Sequence, residues 1–231
     1  MVEECGGQTF LGALNAAERD ELQGIGRQRS LRRGEAIFHE GDPSDFVVLI
    51  LAGNVKVSCV AERGTETILA ICGAGDIVGE MSAVDGEPRS AQVSALEPVR
   101  VQVIAAGDFI RFLEARPRVL RIVLALISSR LRDADRTLAE FRALDVPSRI
   151  ALRLLELSQT HGRQTSEGIV LGLPLSQQEL AEWTGASREA VAKALRLLRE
   201  RGAIDTRRRA ITILRPDLLR RLVGRHPGGT D

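Results

Sequence analysis

Two clusters in this 231-residue chain gather side chains able to hold an anion or to read a polar edge. The first is Gly79-Glu80-Met81-Ser82, followed by Arg89-Ser90. A glycine at 79 lets backbone approach a ligand closely and opens a short helix whose free amides point at an anion. Arg89 offers a planar fork for two phosphate oxygens, and Ser90 adds a hydroxyl. Glu80 suits such a site only if it accepts from a neutral donor, and a ribose 2′-hydroxyl is one. Gly79, Glu80, Met81, Ser82, Arg89 and Ser90 are therefore the candidate ligand-binding set.

The second cluster begins at Ser176-Gln177-Gln178-Glu179, a capping box in which serine and glutamate satisfy each other's free amides. The helix it opens ends at Thr184-Gly185, and Ser187 caps the next one. Two helices joined by so short a glycine turn form a helix-turn-helix. At roughly 100° per residue, Val191, Ala194, Leu195 and Leu198 of the second helix share one side. Arg188, Glu189, Lys193, Arg196 and Arg199 share the other. Arg188 has the fork for guanine O6 and N7, Glu189 can accept from cytosine N4, and Lys193 suits guanine or a phosphate. Ser187 and the basic turn Arg207-Arg208-Arg209 suit phosphates, and Ser176 and Gln178 join this DNA-facing set.

These clusters need scaffolds. Residues 11–26 read as a short amphipathic helix with Asn15 as a possible cap. Short apolar or alternating runs at 36–38, 46–51, 55–60, 67–71, 91–95 and 99–104 are separated by glycine turns. That pattern predicts an antiparallel roll. Asp108 is expected to cap a helix to about Ala115, and Pro117 to open the next. In that next helix Leu120, Leu124, Ile127, Leu131, Ala134, Leu138 and Phe141 follow alternating steps of four and three. The stripe is a coiled-coil seam and points to a two-fold dimer, the alternative being a helix packed on its own domain.

Asp145-Val146-Pro147-Ser148 breaks the pattern. Beyond it a helix over 149–159, a strand-like stretch at 168–173, the helix pair, and strands near 203–205 and 211–214 read as a winged helix-turn-helix. A last helix starts near Pro216, and the Pro227-Gly228-Gly229 tail reads as loose. The expected class is α+β: an N-terminal antiparallel, jelly-roll-like β-roll over 1–116, a dimerisation helix over 117–145 and a winged helix-turn-helix over 146–231.

Charge supports that division. Residues 1–145 carry 17 Lys and Arg against 22 Asp and Glu, a balance of −5, whereas 146–231 carry 15 against 9, a balance of +6. Only the second part is suited to a polyanion. No apolar run approaches the ~20 residues that span a bilayer, and the start lacks the pattern of a secretory signal. Cys5, Cys59 and Cys72 are scattered, which fits a reduced, cytoplasmic setting and argues against an iron–sulfur sensor. His39, His161 and His226 are too dispersed for a metal-binding roll, and no nucleophile–base pair suggests an enzyme.

Gly185-Ala186-Ser187-Arg188-Glu189-Ala190-Val191 resembles the recognition-helix signature of the cyclic AMP receptor protein and fumarate–nitrate regulator family. Leu144-Asp145-Val146-Pro147-Ser148-Arg149-Ile150 resembles that family's hinge, and 77–91 its phosphate-binding cassette. The likeness runs from about Gly34 to Leu214. It implies a dimeric transcription regulator that binds a cyclic nucleotide and double-stranded DNA, with RNA polymerase as a further partner. Arg188, Glu189 and Lys193 fall where the family reads a TGTGA-like half-site of a palindrome. Lys193 replaces the arginine of the cyclic AMP receptor protein.

The family's base-contacting Thr-Ser pair falls on Ala134 and Asp135, and Arg130 lies one turn before, where it can help with the phosphate. Losing the threonine weakens the case for cyclic AMP. Asp135 can accept from guanine N1–H and N2–H, so cyclic GMP stands beside it, as does a plain solvated role for Asp135. A regulator of the same fold that binds DNA without nucleotide is the alternative.

Overall fold

The computed structural model describes residues 9–60, 64–173, 175–207 and 210–224. They form two compact units, the division falling inside one helix between Asp133 and Ala134.

The first unit opens with α1 (Phe10–Ala13) and α2 (Ala16–Gly24). The single helix expected over 11–26 is thus broken. Asn15 takes an extended backbone and caps α2 in a capping box with Glu18, whose carboxylate accepts from the Asn15 N–H at 2.8 Å. Strands β1 (Arg27–Leu31), β2 (Ala36–Phe38), β3 (Phe46–Ala52), β4 (Val55–Val60), β5 (Glu66–Cys72) and β6 (Ile77–Val78) follow. Next come α3 (Glu80–Asp85), β7 (Gln92–Ala95) and β8 (Val99–Ala105). They build two four-stranded antiparallel sheets, ordered β1-β8-β3-β6 and β2-β7-β4-β5, which is the expected roll. β1 carries no sequence signal because its Arg-Gln-Arg-Ser run is exposed and only Leu31 is buried.

β3 explains why the first unit has two cores. Val48 and Ile50 pack with Val93 and Val101 between the sheets, while Val47 and Leu49 pack with Phe109, Phe112 and Val119 under the helices. Period-2 alternation on a strand buried on both faces reads in sequence as one apolar run. α4 (Ala106–Glu114) begins two residues before the expected Asp108 cap. Ala105 holds the cap position, and Asp108 pairs instead with Arg111 in the first turn.

α5 (Pro117–Ala143) is the 27-residue helix the heptad spacing anticipates. Val119 and Val123 bury one face against the roll, with Ile122, Leu126 and Ile127 at its margin. Leu120, Leu124, Leu131, Leu138 and Phe141 of the seam stay between 36% and 65% exposed.

In the second unit α6 (Val146–Thr160) starts earlier than expected, because Pro147 is tolerated in its first turn and Asp145 caps it, accepting from the Ser148 N–H at 3.0 Å. β9 (Gly162–Thr165), β10 (Gly168–Leu171), α7 (Gln177–Thr184), α8 (Arg188–Glu200), β11 (Ile204–Arg207), β12 (Ala210–Ile213) and α9 (Pro216–Gly224) complete it. The strand-like stretch expected at 168–173 and the two later strands join β9 in one four-stranded sheet, β11-β12-β10-β9. Among the described residues no helix is long and apolar enough to cross a membrane.

Ser176 accepts from the Glu179 N–H at 3.1 Å and Glu179 reaches back to the Ser176 N–H at 2.6 Å. Replacing Ser176 by alanine is expected to cost about 1 kcal/mol and lower the melting midpoint by roughly 2–4 °C. Ser176→Asp should retain most of the midpoint in the same calorimetric scan.

Candidate functional site

The roll brings the first cluster together around Gly79, which caps α3 with a left-handed backbone at φ 78°. A Cβ there would lie 2.6 Å from Arg89 Nη1 and 3.3 Å from a Phe38 ring carbon, so only glycine lets the arginine pass. Arg89 is 2% exposed. It donates from Nη1 to the Gly79 carbonyl at 3.0 Å and from Nη2 to the Phe46 carbonyl, and its Nε is buried without a partner among the described residues. Burial holds the Arg89 pKa below the ordinary arginine value, against the pull of Asp45, Asp42 and Glu80.

Glu80 has no exposed surface. Its Oε1 pairs with Arg130 Nη1, and Arg130 Nη2 donates to the Ile77 carbonyl at 2.7 Å. The expectation that Arg130 helps with a phosphate meets a different arrangement: its guanidinium neutralises Glu80. Burial alone would lower the Arg130 pKa, yet Glu80, Cys72 and Asp76 together raise it. Glu80 Oε2 is buried and unpaired among the described residues, so one acceptor is left for a neutral donor. Ser82 is buried, its hydroxyl 3.4 Å from the Pro88 carbonyl, whereas Met81 and Ser90 are exposed. Burial also pushes the neighbouring Cys72 thiol up to about 12. Ala134 and Asp135 are exposed on α5, beyond the last residue of the first unit.

In the second unit α7 and α8 form the expected pair. Gly185 ends α7 in a left-handed turn at φ 58°, and the Ala186 N–H returns to the Ala181 carbonyl at 3.1 Å. Ser187 caps α8, accepting from the Ala190 N–H at 3.2 Å. Val191, Ala194, Leu195 and Leu198 are buried, and Arg188, Glu189, Lys193, Arg196 and Arg199 are exposed, as the helical angles required. The Glu189 N–H and the Ser187 hydroxyl hold the Glu189 carboxyl below the usual carboxylate range, so it stays an acceptor at neutral pH.

Ser176 is half-buried and its oxygen caps α7, while Gln178 is exposed and bonded to Glu182 at 3.1 Å. Arg207 is exposed, 3.3 Å from Asp205, and Arg208 and Arg209 lie outside the described residues.

Two arginines that pattern reading passed over hold this unit together. Arg149 donates from Nε to the Thr184 carbonyl at 2.9 Å and from Nη1 to the Leu144 carbonyl at 2.7 Å, with Phe141 stacked 5.2 Å from its guanidinium. Arg153 pairs with Glu140 and Glu156 and lies 5.5 Å from the Trp183 ring. Burial and Glu156 raise the Glu140 pKa although Arg153 opposes them. The end of α5 is thereby fastened to the turn that presents α8.

A cyclic nucleotide-binding domain model matches residues 28–116, and a Crp-like helix-turn-helix model matches residues 148–222. A cAMP-activated global transcriptional regulator of the CRP type from Mycobacterium tuberculosis is 34% identical over 181 residues, covering 78% of this chain and 81% of that protein. The chain belongs to the CRP/FNR family. It is a transcription regulator with a cyclic nucleotide-binding domain and a DNA-binding helix-turn-helix, not an enzyme. The global nitrogen regulator of Synechococcus elongatus is 31% identical over 186 residues, covering 80% of this chain and 84% of its own. Among solved structures, a CRP-family transcriptional regulator of Thermus thermophilus superposes with a TM-score of 0.72 at 27% identity, covering 85% of this chain and 97% of its own.

In this CRP/FNR-family regulator, Arg130→Met strands a fully buried carboxylate. The roll should lose about 3 kcal/mol, measured by urea unfolding, because breaking a buried pair leaves one charge without compensation. Adding Glu80→Gln should restore most of that loss, the signature of a coupled pair.

Proposed function

We propose that the chain is a dimeric, cyclic-nucleotide-responsive regulator reading a palindromic, TGTGA-like DNA site, working in the cytoplasm with RNA polymerase. What carries the ligand half is one pair of atoms, Arg89 Nε and Glu80 Oε2, both buried and both unpartnered among the described residues. Orphaned buried polar groups are rare. A donor suited to an anion and an acceptor suited to a hydroxyl match a ligand holding a phosphate and a ribose 2′-hydroxyl. Gly79 supplies the close backbone approach, and Ser82 and Ser90 the flanking hydroxyls.

The DNA half rests on the exposed face of α8, where Arg188 and Glu189 sit in the first turn and Lys193 one turn later. The exposed stripe Leu124, Leu131 and Leu138 supports the dimer, since a 3.5-residue repeat fits a second copy of the same helix. Two-fold pairing would set the recognition helices about 34 Å apart, one turn of DNA. Ligand drives this only by binding the DNA-competent arrangement more tightly than the other.

Isothermal titration of nucleotide-stripped protein with cyclic AMP and cyclic GMP in parallel tests the ligand and identifies the base. Micromolar or tighter binding of one is expected, and Arg89→Leu should abolish it while leaving the dimer folded. If cyclic GMP is preferred, Asp135→Ala should remove the preference. Full-affinity DNA binding by nucleotide-free protein, with silence from both nucleotides, would favour the constitutive alternative. On DNA, Arg188→Ala should lose about 1–3 kcal/mol and relax preference at one position of each half-site in a competition assay.

A further inference from the structure

We propose that Phe38 and Phe46 are positioning residues of the phosphate clamp, forming an aromatic cage that fixes the Arg89 guanidinium within the cassette. The proposal rests on the reading of the roll as a cyclic nucleotide site and names side chains outside the cassette motif. The two rings meet edge to face, with centroids 6.0 Å apart and planes 65° apart. The Arg89 guanidinium carbon lies 4.3 Å from the Phe38 centroid and 4.7 Å from the Phe46 centroid. Both distances fall well inside the ~6 Å range of a cation–π contact. Phe38 is 6% exposed and Phe46 is half-buried, so the contacts are formed largely away from water, where they are strongest.

The backbone of Arg89 is fixed from the same side. Its N–H donates to the Asp42 carbonyl at 2.9 Å, and its carbonyl accepts from the Gly41 N–H at 2.8 Å. The His39–Asp42 turn that follows Phe38 therefore holds the main chain while the rings hold the head group. One carbonyl accepts from each terminal nitrogen, and the two rings, themselves edge to face, form a corner against which the guanidinium rests. Nε, at the edge, is the guanidinium nitrogen left without a partner among the described residues. A flexible arginine would first have to be ordered before gripping an anion, whereas a caged one is already ordered, so removing a ring weakens binding without removing the charge.

The test reads the guanidinium directly and the ligand separately. The Arg89 Nε–H resonance in a proton–nitrogen spectrum, assigned by its loss in Arg89→Lys, should be ring-shifted and slow to exchange with water. Phe38→Leu and Phe46→Leu keep apolar side chains of similar bulk and should each move that resonance and speed its exchange. Each should also weaken the preferred cyclic nucleotide by about 3- to 10-fold. Phe46→Tyr keeps the ring face and should restore both readouts, which a merely structural role would not require. An Nε–H signal unchanged in both leucine variants overturns the proposal, as does affinity within twofold of the unaltered protein in both. If the unaltered protein takes neither cyclic AMP nor cyclic GMP, the reading of the pocket fails, while the Nε–H signal still decides whether the cage exists.

Discussion

A carboxylate buried without exposed surface is costly unless a cation is buried beside it. Glu80 is that carboxylate, and Arg130 of α5 is the cation. This pair joins the start of α3 to the helix behind it. Arg89 faces the same constraint from the other sign. Its charge is accommodated by two main-chain carbonyls and two aromatic faces, which leave its orientation little freedom.

α5 answers to several demands along its length. Val119 and Val123 close the core beneath β3, Arg130 meets Glu80, and Glu140 and Phe141 are engaged by the arginines of α6. Arg130, in the first unit, thus meets Glu80, and Glu140 and Phe141, in the second, meet α6. The remaining apolar stripe of α5 is what the proposed second copy would cover.

The helix-turn-helix is a local device by comparison. Its caps, its glycine turn and the amphipathic division of α8 are all short-range, and each matches what residue type and spacing require. Its placement on the end of α5 is a different matter, because the Arg149 and Arg153 contacts join segments that no periodicity relates.

By itself the sequence determined the roll's main strands, the long helix and the capped helix pair. Those features are written in signals spanning a few residues: alternation, heptads, capping boxes and glycine turns. It did not reveal β1, whose side chains are polar, nor the break at Asn15, where a cap competes with an otherwise helical run. The tertiary structure alone decided that Arg130 pairs with Glu80, 50 positions away, and that Arg89 rests against two rings and donates to a carbonyl 43 positions away. Such pairings depend on which buried charge needs which partner once the sheets have closed, and that energy is set by burial rather than by spacing.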